Sequence, residues 1–392
     1  MSKSVDFNCG VVLPASGTGE RMGICTPKQF RDVLGRPLIV FTISTFHRFP
    51  WIKFIIVTVS ESCKDTMLQL VTDYNLHKVT VVAGSTTRHR SIYNGIKAVP
   101  SVCSAPDVVL IHDAVRIFGE EDLIRDIALA ANKHGASGVT RPLVSTVIAS
   151  DSEGMLTESL DRNQYAASEM PQGFKYHVIK QAYEKSTDFD FDYGTECLLL
   201  AKKYAGVNAC IVPGKPYLWK VTHKKDLYAA EAMLKEQFLQ VSILSTSGQA
   251  TLVDTLEREL CTALRSEQVK VTSEIIPKSN SPSEHPNTFI HIHTSQPSDW
   301  STLNPATRPC GDRLLFDHCH IHVFLLDPTQ VSAQHHQLSV HFKQLAKQLQ
   351  DQHFIVYAVL AQTTESSEAV SAMVKHLVFH RSTSLAGQVF LV

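Results

Sequence analysis

The sequence has no surplus of either charge. Lys and Arg number 37 against 38 Asp and Glu, a formal net charge of −1 in 392 residues. Such a balance gives no electrostatic reason to expect a nucleic-acid partner. No apolar run reaches the length that spans a bilayer, so no membrane partner is expected either. The nine cysteines are scattered, with no C-x-x-C among them. That points to reduced thiols and a cytosolic location rather than a disulfide framework. Met1 to Asp6 hold neither an apolar signal core nor an Arg-rich presequence, which agrees with a cytosolic expectation. Two common phosphate-binding motifs are incomplete. The dinucleotide fingerprint needs a third glycine at position 22, where Met22 stands. The P-loop needs Lys followed by Ser or Thr, whereas Lys28 is followed by Gln29.

What is present instead is a short apolar strand, Gly10 to Leu13, that breaks into Pro14-Ala15-Ser16-Gly17-Thr18-Gly19-Glu20-Arg21-Met22-Gly23, then Pro27-Lys28-Gln29. Gly17 and Gly19 carry no Cβ, so the backbone can approach an anion closely. Successive loop N–H groups can converge on phosphate oxygens. Arg21 and Lys28 add two fixed cations, and the whole suits a triphosphate. A plain strand-turn-helix connection is the alternative for a lone glycine loop; the two spaced cations and the P-K-Q tail weigh against it.

Downstream, apolar strands alternate with helices: helix Leu38 to Phe49 after Pro37, strand Phe54 to Val59, helix Ser62 to Tyr74, strand Val79 to Ala83. This rhythm predicts a parallel, doubly wound α/β sheet. Ligands bind at the carboxyl ends of such strands. One strand, Val108 to Ile111, ends in His112-Asp113-Ala114-Val115-Arg116. An Asp there, facing a phosphate loop, suits Mg²⁺ as a ligand, although a turn role is the common one. Strand Val79 to Ala83 runs into Gly84-Ser85-Thr86-Thr87-Arg88, where Ser85 or Thr86 could cap a helix. Residues 142–171 break the rhythm and read as a hairpin, with strands Val144 to Ala149 and Met155 to Leu160. Helix Tyr176 to Ser186 follows, Thr195 reads as a further N-cap, and Lys224 to Gln240 closes the first domain, 1–240.

These segments resemble the sugar-phosphate cytidylyltransferase family typified by 2-C-methyl-D-erythritol 4-phosphate cytidylyltransferase, with matches from about Val11 to about Ala230. The resemblance implies a Rossmann-like nucleotidyltransferase domain and Mg²⁺-dependent transfer of CMP from CTP to a polyol phosphate. Arg21, Lys28 and Lys220 are then the catalytic cations. Pro14, Ala15, Ser16, Gly17, Gly19, Gly84, Arg88, Ser91 and Ala114 surround the nucleotide, and Asp113 holds the metal. Arg116, Thr146, Arg162, Thr195 and Lys220 bind the acceptor. The family's β-arm hooks a second subunit, so a homodimer is implied, with Arg162 reaching the partner's site. Three positions depart from the family: Ile117 replaces Pro, Tyr217 replaces an acid, and Met170-Pro171-Gln172 replaces T-P-Q. The fused second domain places the chain nearer a branch that uses a pentitol phosphate, feeding glycan assembly such as that on α-dystroglycan. The methylerythritol substrate of isoprenoid synthesis and a non-catalytic scaffold are the alternatives.

From residue 241 to 392 the α/β pattern restarts: strand Val241 to Leu244, helix Leu252 to Arg265, strand Val269 to Ile276, polar Lys278 to Glu284, then further strands and helices. A smaller Rossmann-like domain, similar to the short-chain dehydrogenase type, is expected. Ser245-Thr246-Ser247-Gly248 is no dinucleotide fingerprint, and no Tyr-x-x-x-Lys pair occurs, so a non-catalytic role is preferred. Twelve of the 19 histidines lie from His285 onward. His318, His320 and His322 share one strand face by period two. A zinc site needs ligand spacing that is not found here, and a half-buried strand is the simpler reading.

Overall fold

Cys9–Pro14 (β1) is apolar throughout and almost wholly buried, as a parallel strand covered on both faces should be. It is central to a seven-stranded sheet in this computed structural model, which describes residues 4–17, 26–245, 251–267, 269–274, 287–294, 318–349, 354–362, 367–381 and 383–392. The other strands are β2 (Ile52–Val59), β3 (Val79–Ala83), β4 (Val108–Ile111), β5 (Ala136–Pro142), β8 (Ala166–Lys175) and β9 (Cys210–Pro213). A separate hairpin pairs β6 (Ile148–Ser150) with β7 (Leu156–Ser159). The sheet order is β9-β5-β8-β4-β1-β2-β3. β1 pairs in parallel with both β2 and β4. From β1 the chain first builds outward on one side and then returns to the other. The carboxyl ends of β1 and β4 therefore form a topological switch point, where such sheets bind ligands.

The expected parallel sheet has one reversed member. β8 is antiparallel to β4 and to β5. The chain leaves β5 through the hairpin and returns without a helical crossover, and such a return pairs antiparallel. Alternation places Val11, Leu13, Ile55, Val57 and Leu110 on one face, against Ile39 and Ile43 of α1 (Leu38–His47) and Ile124 and Ile127 of α4 (Glu121–His134). Val12, Ile56, Val109 and Ile111 face Ile92 and Ile96 of α3 (Arg88–Val102), Ile179 of α5 (Tyr176–Lys185) and Leu200 of α7 (Cys197–Ala205). Between β2 and β3 lies α2 (Lys64–Asp73), preceded by a short 3-10 turn, Glu61–Cys63, where one helix was expected.

Several local expectations shift. Val144 to Val147 is not strand, because the hairpin begins only at Ile148. Asp151 closes its turn by accepting the Glu153 and Met155 N–H groups at 3.0 and 2.9 Å. The cap of α3 is Thr87, which accepts from Arg90 N–H, rather than Ser85 or Thr86. That of α7 is Glu196, which accepts from Leu198 N–H at 3.1 Å, and Thr195 lies exposed just outside. An unexpected short helix, α6 (Asp188–Tyr193), opens with a reciprocal Thr187–Asp190 capping box.

The chain divides into two compact units, residues 1–32 with 36–226, and 33–35 with 227–392. The division falls within α8 (Lys224–Phe238), ahead of the boundary expected at residue 240. In the second unit β10 (Gln240–Ser245), β11 (Lys270–Glu274), β12 (Thr288–His293), β13 (His318–Leu326), β14 (Phe354–Gln362) and β15 (Val389–Leu391) form an all-parallel sheet. Its order, β11-β10-β12-β13-β14-β15, corresponds in chain terms to 2-1-3-4-5-6. That is the flavodoxin-type winding, not the 3-2-1-4-5-6 of a dinucleotide-binding dehydrogenase. α9 (Thr251–Arg265) and α11 (Ser367–Phe379) cover one face, and α10 (Pro328–Leu349) covers the other. The polar segment 278–284 and residues 246–248 lie outside the described residues.

The strand histidines form a stack rather than a ligand cage. His291, His320 and His322 have ring nitrogens within 4.8 Å of one another. Yet the His291 and His322 rings lie 4.4 Å apart and 5° from parallel. Imidazole lone pairs lie in the ring plane, so stacked parallel rings do not aim at one ion. The nitrogens instead hydrogen-bond in pairs, His291 with His320 and His293 with His322, at 3.1 Å each. Among the described residues, no helix is long and apolar enough to cross a membrane.

Candidate active site

At the switch point the ends of β1 and β4, the 85–88 turn and the 220–222 segment enclose a cleft of about 360 Å³. Asp113 stands at its floor, on the turn just beyond β4. Its carboxylate is buried and meets three cations. Oδ1 accepts from Arg88 Nε at 3.0 Å, and Oδ2 accepts from Arg116 Nε at 3.0 Å. Lys220 Nζ lies 3.2 Å from Oδ2. Burial alone pushes such a carboxyl up, but Arg88, Lys220 and Arg116 outweigh it and hold Asp113 well below the usual carboxylate range. The carboxylate is therefore a fixed negative charge that gathers cations from three segments.

The H-D-A-x-R pattern has a structural reason. Arg116 N–H donates to the Asp113 carbonyl at 3.0 Å, which closes the turn. The ring of His112 bonds the Arg116 carbonyl through Nε2 at 2.8 Å. Burial pushes His112 down to about 4, so the ring is neutral and Nε2 carries the proton it donates. Thr42 of α1 donates to the Ala114 carbonyl at 3.0 Å. Ile117 is buried where the family has Pro, so the altered turn keeps an apolar anchor.

The phosphate-type loop is fastened from behind. Gln29 is buried and donates through Nε2 to the Ala15 carbonyl at 2.6 Å and the Gly17 carbonyl at 3.0 Å. Ala15 N–H and the Ser16 hydroxyl both donate to the Thr58 carbonyl, at 2.7 and 3.2 Å. Lys28 Nζ donates to the Val221 carbonyl at 3.0 Å, and Val221 N–H bonds the Val115 carbonyl at 3.1 Å. The segment carrying Lys220 is thus tied to both Lys28 and the Asp113 turn. Opposite, Ser91 accepts Ser85 N–H at 2.9 Å and donates to the Thr87 carbonyl at the same distance. A Cβ on Gly84 would lie 1.7 Å from Ser16 Oγ, so only glycine lets the two loops close on each other.

Most nucleotide-side residues expected from sequence line this cleft: Pro14 to Gly17, Lys28, Arg88, Ser91, Asp113, Ala114 and Lys220. Gly84 does its work one layer behind. Gly19 and Arg21 lie outside the described residues. Of the acceptor-side residues only Lys220 reaches the cleft of its own chain. Arg116 is not among the lining residues; it is a strut between Asp113, Glu169 and the Leu218 carbonyl. Thr146 and Arg162 sit on the exposed arm, where Arg162 bonds the Val144 carbonyl at 3.1 Å. Met170 does not line the cleft; its Sδ lies 4.0 Å from Arg88 Nη2. Sequence reasoning missed Gln29 as the loop staple and Glu169 as the partner of Arg116 and Arg141. The P-K-Q tail was the signal for Gln29, while Glu169 had none.

The donor set at Asp113 suits one hard cation. A carboxylate offers about four lone-pair sites. Three are taken, two of them on Oδ2, which leaves one on Oδ1. Mg²⁺ commonly takes one or two protein carboxylates and completes its shell with phosphate and water. Replacing Asp113 by Asn keeps the shape and removes the charge. Three cations then lose their shared anion, and the variant should lose about 3 kcal/mol of stability. Urea unfolding checks this: an unchanged midpoint would assign Asp113 a minor structural role.

Known proteins share the sequence and the fold of this chain. Residues 9–236 match the family described as 2-C-methyl-D-erythritol 4-phosphate cytidylyltransferase. A Xenopus tropicalis protein named D-ribitol-5-phosphate cytidylyltransferase is 50% identical over 252 residues, 63% of this chain and 61% of the relative. A Rattus norvegicus protein of the same name is 38% identical over 401 residues, 97% of this chain and 89% of the relative. The crystal structure of 4-diphosphocytidyl-2C-methyl-D-erythritol synthase from Anaerococcus prevotii aligns with a TM-score of 0.51 and 26% identity, covering 58% of this chain and 96% of that one. The chain is thus a CTP-dependent nucleotidyltransferase and belongs to the 2-C-methyl-D-erythritol 4-phosphate cytidylyltransferase family.

Proposed function

We propose that the protein transfers CMP from CTP to D-ribitol 5-phosphate, giving CDP-ribitol and pyrophosphate. The observation that carries this reading is the cleft lined by Lys28, Arg88 and Lys220 around Asp113, the one carboxylate among the described lining residues. The relatives that match nearly the whole chain, second unit included, supply the acceptor's identity through their name. An oxygen of the acceptor phosphate attacks the α-phosphorus of CTP. A new P–O bond forms as the bond to the pyrophosphate oxygen breaks. No covalent enzyme intermediate is needed; the task is positioning and charge neutralisation. Backbone N–H groups of Ser16 and Gly17 would cradle the phosphates, with Gly19 and Arg21 following in the sequence. Ser91 and Gly84 would keep the cytidine side of the cleft in shape. Lys28 and Lys220 would stabilise the charge that develops at the α-phosphoryl group. Mg²⁺ held by Asp113 and phosphate oxygens would supply further neutralisation.

The described cysteines are free thiols, which supports a cytosolic protein, and the product would serve glycan assembly such as that on α-dystroglycan. Fractionation that places the protein in the secretory lumen would overturn that location. The rival acceptor is methylerythritol phosphate. Met170 stands where that family commonly carries a threonine, but it packs on Arg88 outside the cleft, so the preference rests on the relatives' name. Competing the two phosphates for limiting CTP should give the higher kcat/KM to D-ribitol 5-phosphate; the reverse order would reject this reading. Lys28→Ala should lower kcat by about 100-fold. Full activity in that variant would remove Lys28 from the mechanism, whereas no pyrophosphate release by the wild type with any polyol phosphate would favour the scaffold reading.

The arm supports a homodimer. Val144, Ile148, Met155 and Leu156 are 85%, 59%, 64% and 66% exposed, apolar side chains on and beside a hairpin with open edges. Thr146 and Arg162 on the arm of one subunit would then join Thr195 and Lys220 around the acceptor phosphate in the other's site. Mixing inactive Arg162→Ala with inactive Lys28→Ala subunits should restore part of the activity, since one hybrid site holds both groups. Verified heterodimers that stay inactive would refute sharing.

A further inference from the structure

Glu169 is 5% exposed and lies on β8, facing two arginines. One oxygen accepts from Arg116 Nη1, and the other accepts from Arg141 Nε at 2.7 Å and from its Nη2. The strand register explains the second contact. Glu169 pairs with Val139 of β5, so Arg141 is its diagonal neighbour on the same face. Each arginine has a further donor, and both turn it on the same short stretch. Arg116 Nη1 donates to the Leu218 carbonyl at 2.8 Å, and Arg141 Nη1 to the Pro216 carbonyl at 2.9 Å. That stretch is irregular and leads directly into Lys220. One buried carboxylate therefore orients two guanidinium groups that grip the chain just before a cation of the cleft.

We propose that Glu169 is a positioning residue that sets Lys220 at the cleft through the paired clamps of Arg116 and Arg141. The inference rests on the nucleotidyl-transfer reading of the site. Asp113 depends on it less, because Arg88 and the turn fastened by His112 hold that carboxylate from other directions. Without the Glu169 charge, the guanidinium planes lose their common anchor, and Pro216 and Leu218 lose their fixed donors. Lys220 then drifts, while the loop that receives the triphosphate keeps its Gln29 staple.

The experiment is a double-mutant cycle on the full chain with CTP, Mg²⁺ and D-ribitol 5-phosphate. The readouts are kcat from pyrophosphate release and the Kd for CTP from calorimetry. Glu169→Gln should lower kcat by about 10- to 100-fold, the range that a small displacement of a charged group produces. The Kd for CTP should stay within about twofold. In a Lys220→Ala background the same substitution should cost no further kcat, because coupled residues are not additive. Arg141→Ala should behave likewise, and it decides the matter if Glu169→Gln does not fold. A full additional loss in the Lys220→Ala background, or weakened CTP binding, would overturn the proposal. Absence of turnover in the wild type would instead reject the transfer reading on which it rests.

Discussion

A buried carboxylate surrounded by cations is stable only if both signs stay together, and Asp113 imposes that constraint on the whole cleft. Its partners come from α3, from its own turn and from the segment after β9. Drawing four charged groups wholly or partly out of water is costly, and close mutual pairing offsets the cost. Each partner is therefore held where its charge faces the cleft or supports a neighbour that does. A polyanionic substrate entering there meets positive charge that is already oriented and needs little rearrangement.

The sheet makes this arrangement possible. β1 and β4 are adjacent and parallel although far apart in sequence, so the glycine loop and the Asp113 turn emerge side by side. The antiparallel return of β8 then brings Glu169 and Met170 beneath Arg116 and Arg88. The arm is the price of that reversal: it carries apolar side chains outward on a hairpin that pairs only with itself among the described strands. Fold, site and the proposed subunit contact thus share one topological cause.

What was legible in the sequence was local. Gly17, Lys28 and the P-K-Q tail lie within one short stretch of sequence, where residue type and spacing state the chemistry directly. Asp113 was legible because a strand end is a known place for a ligand. Its pairing with Arg88 and Lys220 was not, since no period or spacing links three distant segments. The same holds for Arg141 and Glu169, which meet only through strand register. The caps failed by one or two residues: Thr87 and Glu196 serve where Ser85, Thr86 and Thr195 also had suitable side chains. Capping depends on where the first helical turn starts, which tertiary packing decides. In the second unit the α/β rhythm was clear, but strand order is set by the crossovers, so the flavodoxin-type winding could not be read from alternation.

Asp113 holds the cations of the cleft in place. A crystal structure of the Asp113→Ala variant tests it most directly. The account predicts that β1, β4 and α3 superpose on the parent while Arg88 and Lys220 swing out of the cleft. Both side chains remaining in their present positions would contradict it.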